Sequence, residues 1–365
     1  MKAVLLFRLV FFSFALSFSV DGYSQDAAVA SAHPLATDAG IEILNKGGNA
    51  FDAAVAVTAT LAVVEPYSSG IGGGGFWLLH IDQDNRDVMI DGRERAPLAA
   101  DRDMYLDEQG HVVPGASING PLSAGIPGVP AAIAHLASRY GSLPLSVTLE
   151  AAIRYARKGF TTDAYYQRMA ALREQALNAS EDAASIFLQN NKAPEPGSLI
   201  VQPELADTLS TIAREGARGF YQGELAKRMV ESVVSRGGIW SMQDLASYRI
   251  VEREPIRAEY KGMQVVSVMP PSSGGVALVQ MLNMLADFDY AALSETSRIH
   301  VLAEVMRRAY RDRAEFLGDT DFVKVPVSRL TSKKHALMLA GSIQLDEATP
   351  SRELAPVIKL SLIHI

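Results

Sequence analysis

The sequence predicts a helix-rich α/β (α+β) protein, and three observations carry that prediction. Most of its longer segments place apolar residues at helical spacing between capping and stop residues. Strand-like alternation is confined to two short stretches that read as hairpins. No internal repeat or long linker interrupts the 365 residues, of which 48% are hydrophobic and 21% charged.

The elements follow in order. After Pro34 the pattern turns helical, with Thr37 and Asp38 suited to an N-cap, Ile41 and Leu44 sharing a face, and Gly47-Gly48 as a stop. Asn49 then caps a second helix, NAFDAAVAVTATLAVVE, which is apolar nearly all round and rich in alanine. That composition predicts a central helix buried on several sides. A glycine-rich loop, Pro66 to Gly75, leads to strands over Phe76 to Ile81 and Asp87 to Ile90, joined through an Asp82 to Asn85 turn. A second loop, GASINGPLSAGIPGVP, launches helices over Ala131 to Tyr140 and Ser146 to Lys158. Thr161 to Gly197 is polar and irregular, so surface helices and a loop are expected there. PELADTLSTIAREG and QGELAKRMVESVVSRGG read as amphipathic helices closed by glycine. Ile256 to Tyr260 and Met263 to Met269 form the second hairpin about Lys261-Gly262. The loop Pro270 to Gly275 opens an apolar helix over Val276 to Leu285, and a long helix covers Ser297 to Leu317.

Composition excludes several function classes. A formal net charge of -7 without a long Lys/Arg run leaves nucleic-acid binding with no electrostatic basis. With no cysteine, disulfides, thiolate metal sites and a Cys nucleophile are all impossible. Seven scattered histidines show no ligand spacing, so neither a metal nor another cofactor is expected; His33 and His300 read as structural. At the start, Lys2 and Arg8 precede an apolar run from Leu9 to Val20 that is short for a membrane span. Its layout is that of a secretory signal, residues 1–25, removed between about Gly22 and Ala27 to leave an exported protein without a membrane span.

The stretch with most chemical promise runs from Glu65 to Pro97, where four glycines and Arg93 stand among apolar strands. Gly73 and Gly74 invite a nucleotide-binding reading, but phosphate loops run strand, glycines, helix, and here the order is helix, glycines, strand. A structural role or the lining of a site for a small substrate is expected instead, with Gly73 and Gly74 as the candidates for lining. Arg93 is either an ordinary surface ion pair with Asp91 or Glu94, or a guanidinium fork for a substrate carboxylate. Ser272 and Ser273 lack a nucleophile elbow and read as a tight turn or as further site lining. Arg307, Arg308, Arg311 and Arg313 interleave with Glu304, Asp312 and Glu315, the pattern of a solvated, salt-bridged helix face.

Taken together, ASAHPLATDAGIEILNKGGNAFDAAVAV, VVEPYSSGIGGGGFW, DGRERAPLAADRDMYLD, GIPGVPAA, GFYQGELA, YKGMQVVSVMPPSSGG and AYRDRAEFLGDTDFV resemble the large-subunit half of gamma-glutamyltranspeptidase (glutathione hydrolase) precursors over about Val29 to Pro326. The resemblance implies an N-terminal-nucleophile hydrolase with a four-layer αββα sandwich, completed by a small subunit cut from the same precursor. It implies a Thr nucleophile, freed by that cut, which takes the glutamyl group of a γ-glutamyl compound and passes it to water, an amino acid or a peptide. It also puts Arg93, within Arg93 to Pro97, where the family binds the α-carboxylate of the glutamyl group.

The departure is at the end. Residues 26–355 match a large-subunit region forming one domain, but no Thr in the family's cleavage context follows, and Thr349 precedes Pro-Ser-Arg. No catalytic residue is therefore assigned within the chain, and the piece by itself is expected to be inactive. The tail, residues 356–365, ends in LSLIHI, which is unlike the family and resembles translated adapter read-through of an interrupted gene. Other readings are a relative acting on another amide, such as a cephalosporin acylase or a capsule-processing transpeptidase, and a non-catalytic carboxylate-binding protein.

Overall fold

The computed structural model describes residues 27–354, so the segment read as a secretory signal, residues 1–25, and the tail read as atypical, residues 356–365, lie outside the described residues. The first helix, α1 (Pro34–Asn45), is capped by His33, whose Nδ1 accepts the amide of Leu35 at 3.2 Å. The cap predicted at Thr37 or Asp38 is therefore four or five residues late. Pro34 is suited to the first helical position because its φ is already helical and it has no N–H to satisfy, and this starts the helix upstream.

The second helix, α2 (Ala50–Val64), is the central one that its composition predicts. Val55, Ala56, Ala59 and Val63 are inaccessible to solvent. Asn49 and Asp52 close a capping box, in which Asn49 Oδ1 accepts the amides of Phe51 and Asp52 while Asp52 accepts that of Asn49. Asp52 also accepts the amide and hydroxyl of Ser142 at 3.0 and 2.8 Å, tying the N-terminus of α2 to the turn after the next helix.

Strands β1 (Gly75–Ile81) and β2 (Arg86–Gly92) form the first hairpin, with Gly75 opposite Gly92 and Trp77 opposite Ile90. A short third strand, β3 (Val251–Arg253), adds to β2 with Asp91 opposite Val251. Helix α3 (Val129–Arg139) packs on this sheet. A turn of helix, Leu145–Thr148, then runs into α4 (Glu150–Lys158). Three short helices cover most of the irregular region before α5 (Pro203–Glu215) and α6 (Gly223–Ser235).

The second hairpin pairs β4 (Ile256–Tyr260) with β5 (Met263–Ser267) about Lys261 and Gly262, whose φ values of 49° and 80° belong to a type I′ turn. Helix α7 (Gly274–Leu285) packs on β4 and against α8 (Glu295–Phe316) and α9 (Lys333–Ala340). Among the described residues the sheets hold three, two and two strands, the remaining pair being Phe160–Thr161 with Leu199–Ile200. The prediction of a helix-rich α+β chain holds.

Helix α8 corrects one expectation. Its charged residues do not form a solvated face: Glu304, Arg308 and Asp312 are 2%, 1% and 1% exposed. Their i, i+4, i+8 spacing sets them on the core side with Val301, Val305 and Ala309, while Ile299, Leu302, Met306 and Tyr310 face outward. Partners distant in sequence make this possible: Gln280 and His335 bond to Asp312, and Ser342 and Thr349 bond to Arg308.

Candidate substrate-binding site

Arg93 follows directly on the end of β2, and three glycines allow its neighbours to converge. A Cβ at Gly74 would lie 2.6 Å from the backbone nitrogen of Glu94 and 2.7 Å from the carbonyl oxygen of Gly92. At Gly128 it would lie 1.9 Å from that same oxygen, and at Gly92 it would meet Trp77 and Ala132 at 2.8 Å. The carbonyl of Gly73 accepts the amides of Gly128 and Val129 at 2.8 and 3.1 Å, so the glycine loop caps the start of α3. Gly74→Ala is accordingly expected to destabilise the fold by about 1–3 kcal/mol through overpacking. Thermal unfolding followed by circular dichroism measures this; an unchanged midpoint would mean that the loop can step aside.

The backbone of Arg93 is held at both of its polar groups. Its amide donates to Asp91 Oδ1 at 3.1 Å, and its carbonyl accepts the Tyr248 hydroxyl at 2.7 Å. Tyr248 stacks parallel on Tyr221 with ring centroids 5.4 Å apart. Burial, reinforced by the Asp91 charge, pushes the Tyr248 hydroxyl well above its ordinary range, so it remains a donor at neutral pH. Asp91 is engaged on its other oxygen by Arg253 Nε at 2.8 Å, and Arg253 turns its two terminal nitrogens onto Asp321 at 2.9 and 2.7 Å. Those hydrogen bonds hold the Asp321 carboxyl below its usual range.

The Arg93 side chain is not engaged in this way. Its guanidinium is exposed, lies 5.9 Å from the Phe76 ring, and has no carboxylate partner among the described residues. The ion-pair reading with Asp91 or Glu94 is thereby set aside, because Asp91 is already committed to Arg253. Arg93 opens onto a cavity of about 580 Å3 that also receives Glu94, Tyr248, Ser273, Arg313 and Asp319. That volume suits a ligand of dipeptide or tripeptide size.

Of the residues singled out in the sequence, Arg93 and Ser273 meet in this cavity. Gly73 and Gly74 stand behind Glu94 and support the wall rather than line it. Ser272 serves the turn, its hydroxyl accepting the Gly274 amide at 3.3 Å. Sequence reasoning missed Tyr248, Arg253 and Arg313, and only the tract AYRDRAEFLGDTDFV hinted at the last. A larger hollow of about 1150 Å3 lies among Tyr67, Tyr166, Met169, Leu177 and Phe187. Its wall is mainly apolar, and its arginines, Arg173 and Arg236, are taken by Asn119 and Asp182. The smaller cavity therefore holds the more reactive set of groups. Among the described residues no three acidic or histidine side chains are gathered to hold a metal.

The sequence profile of the family described as Gamma-glutamyltranspeptidase matches residues 36–361. The chain belongs to that family. It is 40% identical over 336 residues to the glutathione hydrolase proenzyme of Escherichia coli (strain K12), covering 91% of this chain and 58% of that relative. It thus spans little more than half the length of the curated proenzymes it matches. Among solved structures it is similar to Helicobacter pylori gamma-glutamyltranspeptidase, at TM-score 0.87 and 40% identity over 90% of this chain and 95% of that one. It is also similar to a gamma-glutamyltranspeptidase from Pseudomonas nitroreducens, at TM-score 0.83 and 37% identity over 90% and 98% of the two chains. The fold is thus the α+β fold of these N-terminal-nucleophile hydrolases.

Proposed function

We propose that this gamma-glutamyltranspeptidase family chain is the substrate-anchoring, large-subunit part of a glutathione hydrolase. The observation that carries the reading is the Arg93 residue, whose backbone is held by Asp91 and Tyr248 and whose guanidinium lines the cavity with no acidic partner among the described residues. A planar fork in that position can grip the α-carboxylate of a glutamyl group by two parallel hydrogen bonds. Glu94 and Asp319, which have no cationic partner among the described residues, suit the α-ammonium of the same group. A bound γ-glutamyl compound would then be oriented with its amide facing away from Arg93.

The chemistry comes from the part of the precursor that the relatives carry beyond the matched length. There a Thr hydroxyl attacks the γ-carbonyl carbon, its proton passing through the Thr amine to the departing nitrogen. The resulting ester is opened by water, giving glutamate, or by an amino acid or peptide amine, giving a new γ-glutamyl amide. The Lys2 and Arg8 leader pattern supports export of the precursor. No described helix is long and apolar enough to cross a membrane.

The test is expression of the complete precursor. Self-cleavage into two fragments and release of p-nitroaniline from L-γ-glutamyl-p-nitroanilide are expected. The glutaryl analogue, which keeps the carboxylate but lacks the α-ammonium that Glu94 and Asp319 would hold, should be turned over roughly a hundredfold less efficiently. A cleaved precursor that prefers the glutaryl compound would make the protein an acylase instead.

A further inference from the structure

The substrate cavity contains a second arginine whose position is fixed and whose terminal nitrogens are free. Arg313 rises from the last turn of α8 and donates from Nε to the Ser273 hydroxyl at 2.9 Å. Tyr310, one turn earlier, lies 5.9 Å beneath its guanidinium. Both Nη atoms lack a hydrogen-bond partner among the described residues, and no carboxylate of those residues pairs with the head. The side chain is half-buried and tethered at one edge, so little conformational freedom remains to be lost on binding an anion.

The other charged groups of the cavity are mostly committed. Arg253 is held by Asp91 and Asp321, Asp244 accepts the Leu98 and Ser241 amides, and Arg249 donates to two backbone carbonyls. Arg95 lies over the Tyr248 ring and also has no carboxylate partner among the described residues, but it is exposed and, unlike Arg313, has no side-chain hydrogen bond to fix its guanidinium. Glu94 and Asp319 are the free acids, balanced by Arg93 and by the ligand's own ammonium. A cavity of about 580 Å3 with Arg93 and Arg313 both open is built for more than one carboxylate.

We infer that Arg313, oriented by Ser273, is a second anion subsite that takes the carboxylate at the far end of the substrate. The favoured donors are then γ-glutamyl peptides with a free C-terminal carboxylate, in preference to γ-glutamyl amides that end in a neutral group. This rests on the γ-glutamyl reading proposed above, with Arg93 gripping the α-carboxylate. It adds a specificity determinant on a different element of the chain.

The experiment compares two donors on the self-cleaved enzyme, glutathione and L-γ-glutamyl-p-nitroanilide, by initial rates of glutamate release. The readout is the ratio of their kcat/KM values. In Arg313→Ala that ratio is expected to fall roughly tenfold or more, mainly through KM for glutathione, as for loss of a charge-assisted contact. Arg313→Lys should recover part of it, and Ser273→Ala should lower it by a smaller factor by loosening the guanidinium. Arg93→Ala should depress both donors and leave the ratio within about threefold. A ratio within twofold of wild type in Arg313→Ala would overturn the subsite, whether both rates fall together or neither falls. A cleaved wild-type enzyme that releases glutamate from neither donor would sink the underlying γ-glutamyl reading itself.

Discussion

Replacing Arg93 with alanine in the complete, self-cleaved enzyme is expected to lower kcat/KM for L-γ-glutamyl-p-nitroanilide by roughly 10²- to 10³-fold. Two effects combine to give that magnitude. A charge-assisted, two-pronged hydrogen bond is worth about 1.5–3 kcal/mol. Loss of the grip also frees the glutamyl group to sample poses in which its γ-carbonyl misses the nucleophile. Arg93→Lys should recover little, since an ammonium cannot present two parallel donors in one plane. Stability should change by less than about 0.5 kcal/mol, because the exposed guanidinium makes no ion pair among the described residues. The measurement is steady-state kinetics beside a thermal melt. Near-wild-type turnover in Arg93→Ala would remove Arg93 from the binding site.

The second large effect is on stability. Arg308→Ala is expected to destabilise the protein by about 3–5 kcal/mol, because it takes from the buried Glu304 the one cationic partner that is buried with it among the described residues. Glu304 Oε2 receives Arg308 Nη1 at 2.6 Å and the Thr349 hydroxyl at 2.6 Å, and Arg307 closes on its other oxygen. Burial alone would raise the Glu304 carboxyl, but the hydrogen bonds from Thr349, Arg308 and Arg307 outweigh it and lower the carboxyl to about 2. The sign of the pH dependence follows. A folded value below the unfolded one of about 4.5 means that this stabilisation is fully present above about pH 4.5 and is lost as pH falls toward 2. Urea unfolding at neutral and acidic pH measures both claims. The double replacement Glu304→Met with Arg308→Met should recover much of the loss, since it leaves no uncompensated charge. A single Arg308→Ala variant as stable as wild type would show that Glu304 finds another partner.

The same network shows where pattern reading stops. Alternating acidic and basic residues on a long helix signal a surface, because isolated charges are costly to bury. On α8 the inference failed because the compensating groups, Gln280, His335, Ser342 and Thr349, come from elsewhere in the chain, and spacing along the helix cannot reveal them. Arg93 stood out as a candidate for the opposite reason, and the family resemblance added to it. Glycines crowded about one arginine at a strand end mark a backbone under close approach, and that signal is local. Its freedom from Asp91 was not legible, because it depends on Arg253, 160 residues downstream in the chain, reaching Asp91 first.

Local chemistry therefore determined the cap at Asn49, the Lys261-Gly262 turn, the burial of α2 and the order of helices and hairpins. These depend on backbone preference and on apolar spacing, which act over a few residues at a time. Tertiary structure alone decided which arginines are paired and which are left open to a ligand. Arg253 and Arg308 are consumed by carboxylates, while Arg93 and Arg313 face one cavity. The physical reason is that a charge seeks whichever opposite charge the fold brings nearest, and that distance is set by the packing of elements far apart in the chain.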